Sequence, residues 1–496
     1  MTKQEIRPGD CLDVLADLRN VPAIVADPPA NISFMGRSWD RAHPVDDYVL
    51  PCVPRSKAHE RELRSEESFI RYWSTRYAMA YDIADQHATA IIWTLPRTSY
   101  QTAHAMRRAG WFIKDEADHW FGTGWAKDKN ALAPGHEKWI IATKGKPDLD
   151  IDACRVPRGE RDLRANTDGN EGLFGMGSRV AVGTTSLGSI PKNALLSHCE
   201  ECVRVGVKRI KSESGGIRDN RGKPHGILTA AGQALRDDVS PGYGSTESVP
   251  AWHCLAGCVC GARSKWDPEK PLPRCPCGEV WRWLCAVAEV NGQSGETSVT
   301  GERRNKLSDG RSNGLFAAHR GNEYANDRGG ASRFFNTFSY LSKCASGERH
   351  AGCESLFWRA NKKNPFGFDQ VTREEWWAAT IGERLGGKTI TPDGAQYAQG
   401  NVHPTVKSYR LMHWLHSLTG AKRIVDLCAG SGTGMLTAAL DGIEWIGAEV
   451  CPEAVTIAKA RHAFWAGLSF EARRAMVEND IVPPLVEIDE RQVSLF

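Results

Sequence analysis

Short runs of hydrophobic residues recur near both ends of the chain, separated by stretches in which hydrophobic and polar residues alternate at helical spacing. Apolar runs of about four to six residues, rich in side chains branched at Cβ, are typical of buried strands. They predict strands at 23–26, 89–93, 117–120, 139–142, 423–426 and 445–449. Helices are predicted over 403–418, over 434–440 and over 452–465.

The middle of the chain has a different character. Gly, Ser, Arg and Cys dominate residues 151–345, and long apolar helical stretches are absent there. The alternation of strands and helices resumes after this region. The sequence therefore predicts one α/β domain built from both ends of the chain, residues 1–150 and 346–496, with an insertion at 151–345.

A glycine-rich turn separates the predicted strand 423–426 from the helix that follows it. The segment Val425–Gly434 reads VDLCAGSGTG, and its glycines permit a tight turn and the close approach of a ligand. Glu449 ends the next predicted strand, where a carboxylate can accept hydrogen bonds from both hydroxyls of a ribose. Together they predict a nucleoside site, without distinguishing a dinucleotide from another adenosine-containing cofactor.

The strand predicted at 23–26 ends in Asp27-Pro28-Pro29-Ala30. Prolines donate no hydrogen bond and stiffen the chain, so backbone carbonyls and the Asp27 carboxylate project from the strand end, where ligands bind in such sheets. A carboxylate and a carbonyl there can accept both N–H bonds of an amine conjugated to a ring. This favours a pyramidal nitrogen with a free lone pair, which proximity then places for attack.

These segments together resemble the beta class of amino DNA methyltransferases, a family of bacteria and phages whose motif order is permuted. The catalytic motif comes first and the cofactor loop last. The similar segments are 27–29 with 32–40, His403-Pro404-Thr405-Val406-Lys407 with Leu411-Met412, 426–434, and Gly9–Leu12. The resemblance implies a Rossmann-like methyltransferase sheet, S-adenosylmethionine as cofactor, and direct transfer of a methyl group to an exocyclic amine of a base.

The resemblance also implies a role for single residues. Asp27 and the Pro28 carbonyl would hold the target amine, in a catalytic segment that Pro29 and Ala30 complete. S-adenosylmethionine would be held by Asp10, Asp27, Pro404, Thr405, Lys407, Asp426, Cys428, Ala429, Gly430, Ser431, Gly432 and Glu449.

The chain departs from the family pattern at three places. Ala30 stands where the family usually has an aromatic ring that stacks on the extruded base, and Phe34 and Trp39 are the candidates to supply that ring instead. Leu427-Cys428 replaces a common Pro-Phe pair in the cofactor loop. Ser408 replaces the usual proline after the lysine.

The insertion is the expected reader of double-stranded DNA, since a base must leave the duplex before it can enter such a site. The stretch Val203–Arg236 holds eight Lys and Arg against two acidic residues. Such basic stretches suit phosphate contacts and guanine recognition. A second basic stretch contains Arg303, Arg304, Lys306, Arg311, Arg320, Arg328 and Arg333.

Eight of the 15 cysteines lie between positions 199 and 285, which favours metal binding in a reducing compartment. Tetrahedral zinc takes four thiolates, so eight cysteines allow two structural sites. We group Cys199, Cys202, Cys254 and Cys258 in one and Cys260, Cys275, Cys277 and Cys285 in the other. Zinc would stabilise a recognition region that lacks a large core.

Composition sets few further limits. The hydrophobic share of 41%, the charged share of 25% and the net charge of +3 are those of an ordinary soluble protein. A secretory signal and a membrane-spanning run of apolar residues are both absent, which predicts a cytoplasmic protein without a membrane partner. The oligomeric state stays open, with a homodimer among the alternatives.

Several functions remain open at this point. An acid before the two prolines favours adenine N6 as the target, with cytosine N4 as the alternative. A cytosine C5 enzyme needs a nucleophilic cysteine, and the Pro-Cys pairs at 51–52 and 276–277 are poorly placed for one. A DNA-binding protein with a degenerate methyltransferase fold, or an enzyme acting on RNA or protein, completes the alternatives.

Overall fold

A computed structural model of the chain divides into two units. The first contains Met1–Cys154, Lys192–Glu200 and Thr337–Phe496, and the second contains Arg155–Pro191 and Glu201–Asn336. The described residues are 2–31, 47–48, 56–120, 135–146, 149–156, 161–166, 179–185, 190–198, 202–213, 244–257, 260, 262–267, 272, 274–277, 279, 281–283, 285, 287–288, 290–291, 335–338, 346–361, 367–380 and 397–479.

Strands and helices alternate along the first unit, and strands dominate the second. The strands are β1 (Gln4–Pro8), β2 (Val21–Ala26), β3 (Ala84–Thr94), β4 (Phe112–Trp120), β5 (His136–Thr143), β6 (Arg161–Asn166), β7 (Arg179–Thr185), β8 (Ala194–Ser197), β9 (Val203–Glu213), β10 (Gly244–Gly257), β11 (Arg263–Trp266), β12 (Arg282–Trp283), β13 (Asn336–Phe338), β14 (Phe357–Ala360), β15 (Phe368–Val371), β16 (Tyr397–Gln399), β17 (Arg423–Asp426) and β18 (Glu444–Glu449). The helices are α1 (Cys11–Val14), α2 (Lys57–Ile83), α3 (Ser99–Arg108), α4 (Ser346–His350), α5 (Arg373–Thr380), α6 (Tyr409–Thr419), α7 (Thr433–Leu440), α8 (Pro452–Gly467) and α9 (Phe470–Asn479).

Both ends of the chain contribute strands to one central sheet. Its order is β1-β18-β17-β2-β3-β5-β4-β8-β13. The five strands from β1 to β3 are mutually parallel, and β5 runs antiparallel to β3 and β4. β17 pairs with β2 in the register Ile424 opposite Ala23 and Val425 opposite Ile24. The predicted α/β sheet built from the two halves of the chain is therefore confirmed.

Helices cover both faces of this sheet, as the apolar parallel strands require. Successive residues of β2 point to opposite faces, so Ala23 and Val25 pack in one core and Ile24 and Ala26 in the other. The first core includes apolar residues of α6, α7, α8 and α9. The second includes residues of α1, α2 and α3.

The helix predicted over 403–418 is wrong in its first six residues. Helix α6 starts at Tyr409, and the Ser408 side chain caps it by accepting a hydrogen bond from the Leu411 amide at 3.3 Å. A serine at this position satisfies an otherwise unpaired amide of the first turn. Residues 403–408 are thus left irregular, beside the glycine-rich turn described below.

The boundaries of the insertion also differ from the predicted 151–345. Strand β8 belongs to the first unit, because it pairs in parallel with β4 from Asp118 opposite Ala194 onward. A small sheet of β15-β14-β16 also belongs to the first unit and packs Trp358 against Ile457 of α8. In the second unit, β10 pairs with β9, β11 and β12, and β6 pairs with β7.

Across the described residues, no helix combines the length and apolar character that a bilayer crossing requires.

Candidate active site at the carboxyl edge of the sheet

The carboxyl ends of β2, β17 and β18 lie side by side in the first unit. From β17 the chain continues to β18 on one side, and from β2 it continues to β3 on the other, so the strand order reverses between β17 and β2. Ligands of open α/β sheets bind at such a switch point. Asp27 follows β2, Asp426 ends β17 and Glu449 ends β18. The edge therefore collects three carboxyl groups from two distant parts of the chain.

Two positions in the turn after β17 tolerate only glycine. Gly430 and Gly432 have φ values of +53° and +78°. A Cβ on Gly430 would lie 3.2 Å from His403 Nε2, and one on Gly432 would lie 2.9 Å from the Ala458 Cβ. Both glycines therefore lie where neighbouring protein atoms leave too little room for a side chain.

Two carboxyls organise this loop. Glu449 accepts hydrogen bonds from the Gly430 amide at 2.7 Å and the Cys451 amide at 2.8 Å. Asp426 accepts one from the Cys428 amide at 3.0 Å. Burial, with repulsion from Asp27 and Glu449, raises the pKa of Asp426 to about 8, and burial raises the pKa of Glu449 as well. The predicted loop residues Ala429 and Ser431 are buried, and Cys428 is half-buried.

Gly9 and Asp10 lie next to Glu449. The Gly9 amide donates to the Glu449 carbonyl at 2.9 Å, since β1 is the neighbour of β18. Asp10 caps α1 through the Leu12 amide at 3.0 Å and forms an ion pair with Arg76. Arg76 was not found by sequence reasoning, because it lies far away on α2. Asp10 thus lies at the same edge as Glu449, and its role toward a cofactor stays a prediction.

The segment 403–408 runs beside the loop and is anchored from α4. Arg349 donates to the Asn401 carbonyl at 3.2 Å and also to the His403 carbonyl. The His403 ring lies where a side chain on Gly430 would be, so this anchor holds the segment close to the loop. Pro404 and Thr405 are half-buried in the segment.

Asp27 faces a lysine from that same segment. Lys407 Nζ lies 3.4 Å from Asp27 Oδ2, so the ammonium contacts the acid predicted to be catalytic. Pro28 and Ala30 are buried, and Pro29 is half-buried. Asn31 adopts φ +58° and donates a hydrogen bond to Gln101 Oε1 at 3.2 Å, which fixes the backbone directly after Ala30. The ring candidates Phe34 and Trp39 lie outside the described residues.

Arg461 supports the loop from behind and was missed by sequence reasoning. Its fully buried guanidinium donates to the Ser431 carbonyl at 2.8 Å, to Thr433 Oγ1 at 3.0 Å and to the Tyr409 hydroxyl at 3.2 Å. One signal was available in the sequence. Arg461 falls on the otherwise apolar face of α8, between Ala458 and Trp465, where a charge needs several acceptors.

Six described cysteines of the second unit form two groups, and none of them forms a disulfide. The Sγ atoms of Cys202, Cys254 and Cys285 lie within 4.8 Å of one another, and so do those of Cys260, Cys275 and Cys277. Cys199 and Cys258 lie outside the described residues.

The grouping corrects the expected partner of Cys285. Val203 of β9 pairs with His253 of β10, and Trp283 of β12 pairs with Ala256, so Cys285 is brought to Cys254 rather than to Cys260. Sequence spacing could not reveal this, because strand pairing sets it.

Replacing Arg461 with Met should lower the free energy of unfolding by about 1–3 kcal/mol, since Ser431, Thr433 and Tyr409 lose a buried donor. Urea titration measures this, and hydrogen exchange should be faster at the loop amides 428–432. Lys459→Met, on the exposed face of the same helix, is the control and should change stability by less than about 0.5 kcal/mol. Equal effects of the two variants would contradict the supporting role of Arg461.

The chain matches no protein-family model and no curated protein. Among solved structures, it is similar to the M1.HpyAVI–SAM complex, at 11% identity and a TM-score of 0.31, covering 92% of this chain and 98% of that one. It is also similar to PvuII DNA methyltransferase, named as cytosine-N4-specific, at 10% identity and a TM-score of 0.37, covering 96% and 92%. TTHA0409 from Thermus thermophilus, complexed with S-adenosyl-L-methionine, is similar at 10% identity and a TM-score of 0.30, covering 94% and 98%.

Proposed function

We propose that this chain is a DNA methyltransferase of the beta class, which transfers a methyl group from S-adenosylmethionine to the exocyclic N6 of adenine in duplex DNA. One observation supports this more than any other. The Asp27-Pro28-Pro29 turn and the glycine-rich loop at 428–432 come from opposite ends of the chain and share one edge of the sheet.

The residues at this edge fit S-adenosylmethionine better than a dinucleotide. Asp27, Asp426 and Glu449 are close enough that Asp27 and Glu449 raise the pKa of Asp426. The carboxylates of Asp27 and Glu449 would suit a cationic sulfonium and would repel a pyrophosphate. Glu449 also stands where a carboxylate can accept ribose hydroxyls.

In this proposal, the protein's own residues accept hydrogen bonds from the target amine and align the two reactants. Asp27 and the Pro28 carbonyl each accept one N–H of the target amine, so that the nitrogen lone pair is released from the ring. When bound, S-adenosylmethionine would supply the methyl group as an electrophile and would leave as an uncharged thioether. Asp27 would pass the proton lost by the methylated amine to solvent. The loop at 428–432 and the Asp27 turn hold the two reactants in line, which is a proximity effect. Asp27 also balances the positive charge that develops on the nitrogen.

The choice of adenine over cytosine rests on Asp27, because an acid at this position is more usual for adenine. Cytosine N4 carries the same kind of conjugated amine and is the alternative outcome of the test below. Ala30 is buried and offers no ring for base stacking, so Phe34 and Trp39 remain the candidates for that contact.

Double-stranded DNA is the proposed partner of the second unit. Residues 203–213 of the first basic stretch form β9, the partner of β10. The rest of that stretch and all of the second lie outside the described residues. Phosphate contacts from such residues would position the duplex, as the extrusion of a base requires.

Structural zinc is proposed for both cysteine groups. Two thiolates on one tetrahedral zinc lie about 3.8 Å apart, given Zn–S bonds of about 2.3 Å. Cys260 Sγ and Cys275 Sγ are 3.6 Å apart, far beyond a disulfide bond and close to this value. For the fourth ligands, the sequence offers Cys199 or His198 shortly before Cys202, and Cys258 shortly before Cys260.

The wild-type protein should transfer tritium from labelled S-adenosylmethionine to duplex DNA, and Asp27→Ala should lower this by at least about 100-fold, because an acceptor of the amine is lost. Mass spectrometry of digested DNA identifies the product as N6-methyladenine or N4-methylcytosine. Asp17→Ala, an exposed carboxylate ahead of the same strand, is the control and should retain full activity.

Two results would overturn this assignment. Transfer by Asp27→Ala at the wild-type rate would remove Asp27 from the site. DNA binding by the wild-type chain with no transfer to any duplex would favour the degenerate DNA-binding protein instead.

Glu449→Gln should weaken cofactor binding by about 1–3 kcal/mol, because charge-assisted hydrogen bonds are lost. Isothermal titration calorimetry with S-adenosylmethionine gives the dissociation constant. Glu444→Gln is the matched control, since Glu444 lies on the same strand but pairs with Arg423 at 2.6 Å at the opposite end. An unchanged constant for Glu449→Gln would exclude it from the cofactor site.

Metal analysis of the purified protein should find about two zinc ions per chain, since two cysteine groups are available. Cys254→Ser and Cys275→Ser should each remove about one ion and lower the thermal stability. Cys353→Ser, at a buried cysteine of the first unit, should leave the zinc content unchanged. Well below one zinc per chain in the wild type would contradict the proposal.

A further inference from the structure

An exposed aromatic ring lies beside the candidate cofactor site and has no role in the function proposed above. Tyr72, in the middle of α2, is 50% exposed. The Arg76 guanidinium lies over its ring, with the central carbon 3.3 Å from the ring centroid. The ring also packs edge-on against the buried Trp73, with 5.6 Å between the centroids. Tyr72 is thus held in place while half of its surface stays open.

Arg76 connects this ring to the carboxyl edge of the sheet. It forms the ion pair with Asp10 and donates a hydrogen bond to the Tyr72 carbonyl at 3.2 Å. Arg76 is buried, and these two contacts engage both of its terminal nitrogens. The guanidinium is therefore placed to support the Tyr72 ring rather than to bind a phosphate.

Tyr72 is also near the glycine-rich loop. The loop residue Cys428 packs against the apolar core to which α2 contributes Trp73 and Tyr77. Partial burial raises the pKa of the Tyr72 hydroxyl, and the charges of Arg76, Asp10 and Cys428 influence that pKa as well. The ring therefore borders on both the end of β1 and the loop, and all of these groups belong to the first unit.

The order of the strands indicates which part of the cofactor reaches Tyr72. Along β2, β17, β18 and β1, the edge presents Asp27, the loop at 428–432, Glu449 and Asp10 in that order. In the proposed function, the reacting methyl group lies near Asp27 and the ribose near Glu449. The adenine is attached to the side of the ribose opposite the sulfur. It therefore extends past Glu449 toward Asp10, where Tyr72 lies.

We propose that Tyr72 is a further cofactor-binding residue, whose ring stacks on the adenine of S-adenosylmethionine. The inference rests on the proposed function of the site. Because Arg76 covers one face of the ring, the purine stacks on the other face. Tyr72 contributes affinity through this contact and takes no part in methyl transfer. A ring that the protein already holds in position loses little freedom when the ligand binds.

Calorimetry with S-adenosylhomocysteine measures what the ring contributes, since this ligand carries the adenine and cannot react. Tyr72→Leu should raise the dissociation constant by roughly tenfold or more, because the stacking of a base on an aromatic ring is lost. Tyr72→Phe keeps the ring and should bind within about twofold of wild type.

The matched control is Phe112→Leu. Phe112 is an exposed aromatic residue of the same unit, at 67% exposure, but it begins β4 and so lies at the opposite edge of the sheet. This variant should bind S-adenosylhomocysteine as tightly as wild type. Thermal unfolding of all three variants shows whether each of them is folded.

Nuclear magnetic resonance separates direct contact from an indirect structural effect. Protein with isotopically labelled tyrosine rings, bound to S-adenosylhomocysteine, should show nuclear Overhauser effects between the adenine ring protons and one tyrosine ring. That signal should be missing from Tyr72→Phe, although this variant still binds the ligand. The comparison needs only wild type and Tyr72→Phe, so it does not depend on the folding of Tyr72→Leu.

The outcomes separate this inference from the proposed function. If wild type and Tyr72→Leu bind S-adenosylhomocysteine equally, the inference is wrong and the proposed function is unaffected. A loss of affinity in Tyr72→Leu without the adenine–Tyr72 signal would indicate a structural role and would overturn it, as would equal losses in Tyr72→Leu and Tyr72→Phe. If wild type does not bind the ligand, the cofactor assignment fails, and the inference fails with it.

Discussion

The parallel pairing of β17 with β2 is the constraint on which the rest of the site depends. It joins residues about 400 positions apart in sequence, Ile424 with Ala23 and Val425 with Ile24. Only this register aligns the ends of the two strands, so that Asp27 and the loop after Asp426 occupy one edge. A shift by one residue would turn every side chain of the strand to the other core, and both cores are filled. Packing of the two faces therefore sets the geometry of the functional groups.

The same arrangement places several carboxyl groups in a partly buried site, and the surrounding structure offsets the repulsion between them. Asp426 is driven toward its neutral form, while Glu449 is stabilised by the Gly430 and Cys451 amides. Positive charge is placed behind the edge: Lys407 beneath Asp27, and Arg461 beneath the loop. Such buried ions persist only when several partners hold them. The positions of Lys407 and Arg461 follow from that requirement as much as from catalysis.

The sequence predicted those parts of the structure that depend on local patterns of residues. The strands at 23–26, 89–93, 423–426 and 445–449 are confirmed, because continuous apolar runs leave few alternatives. The start of α6 was misplaced by six residues, because the prediction did not use the capping residue Ser408 as the signal that begins the helix. Arg461 could have been noticed as a charge on the apolar face of α8, but its role could not be assigned, because its acceptor Ser431 lies 30 positions earlier in the chain. The sequence pattern of a helix does not identify partners that tertiary packing brings to it.

The described residues of the second unit include a small buried cluster of Ala256, Cys275 and Trp281, with Trp266 and Leu272 packed against it. A metal ion that links several strands would add to the stability of such a cluster. Cysteines stand where such links are most effective, next to β9, on β10 and after β12, so that one ion would tie three strands together. Metal binding would then supply folding energy to the strands of the second unit.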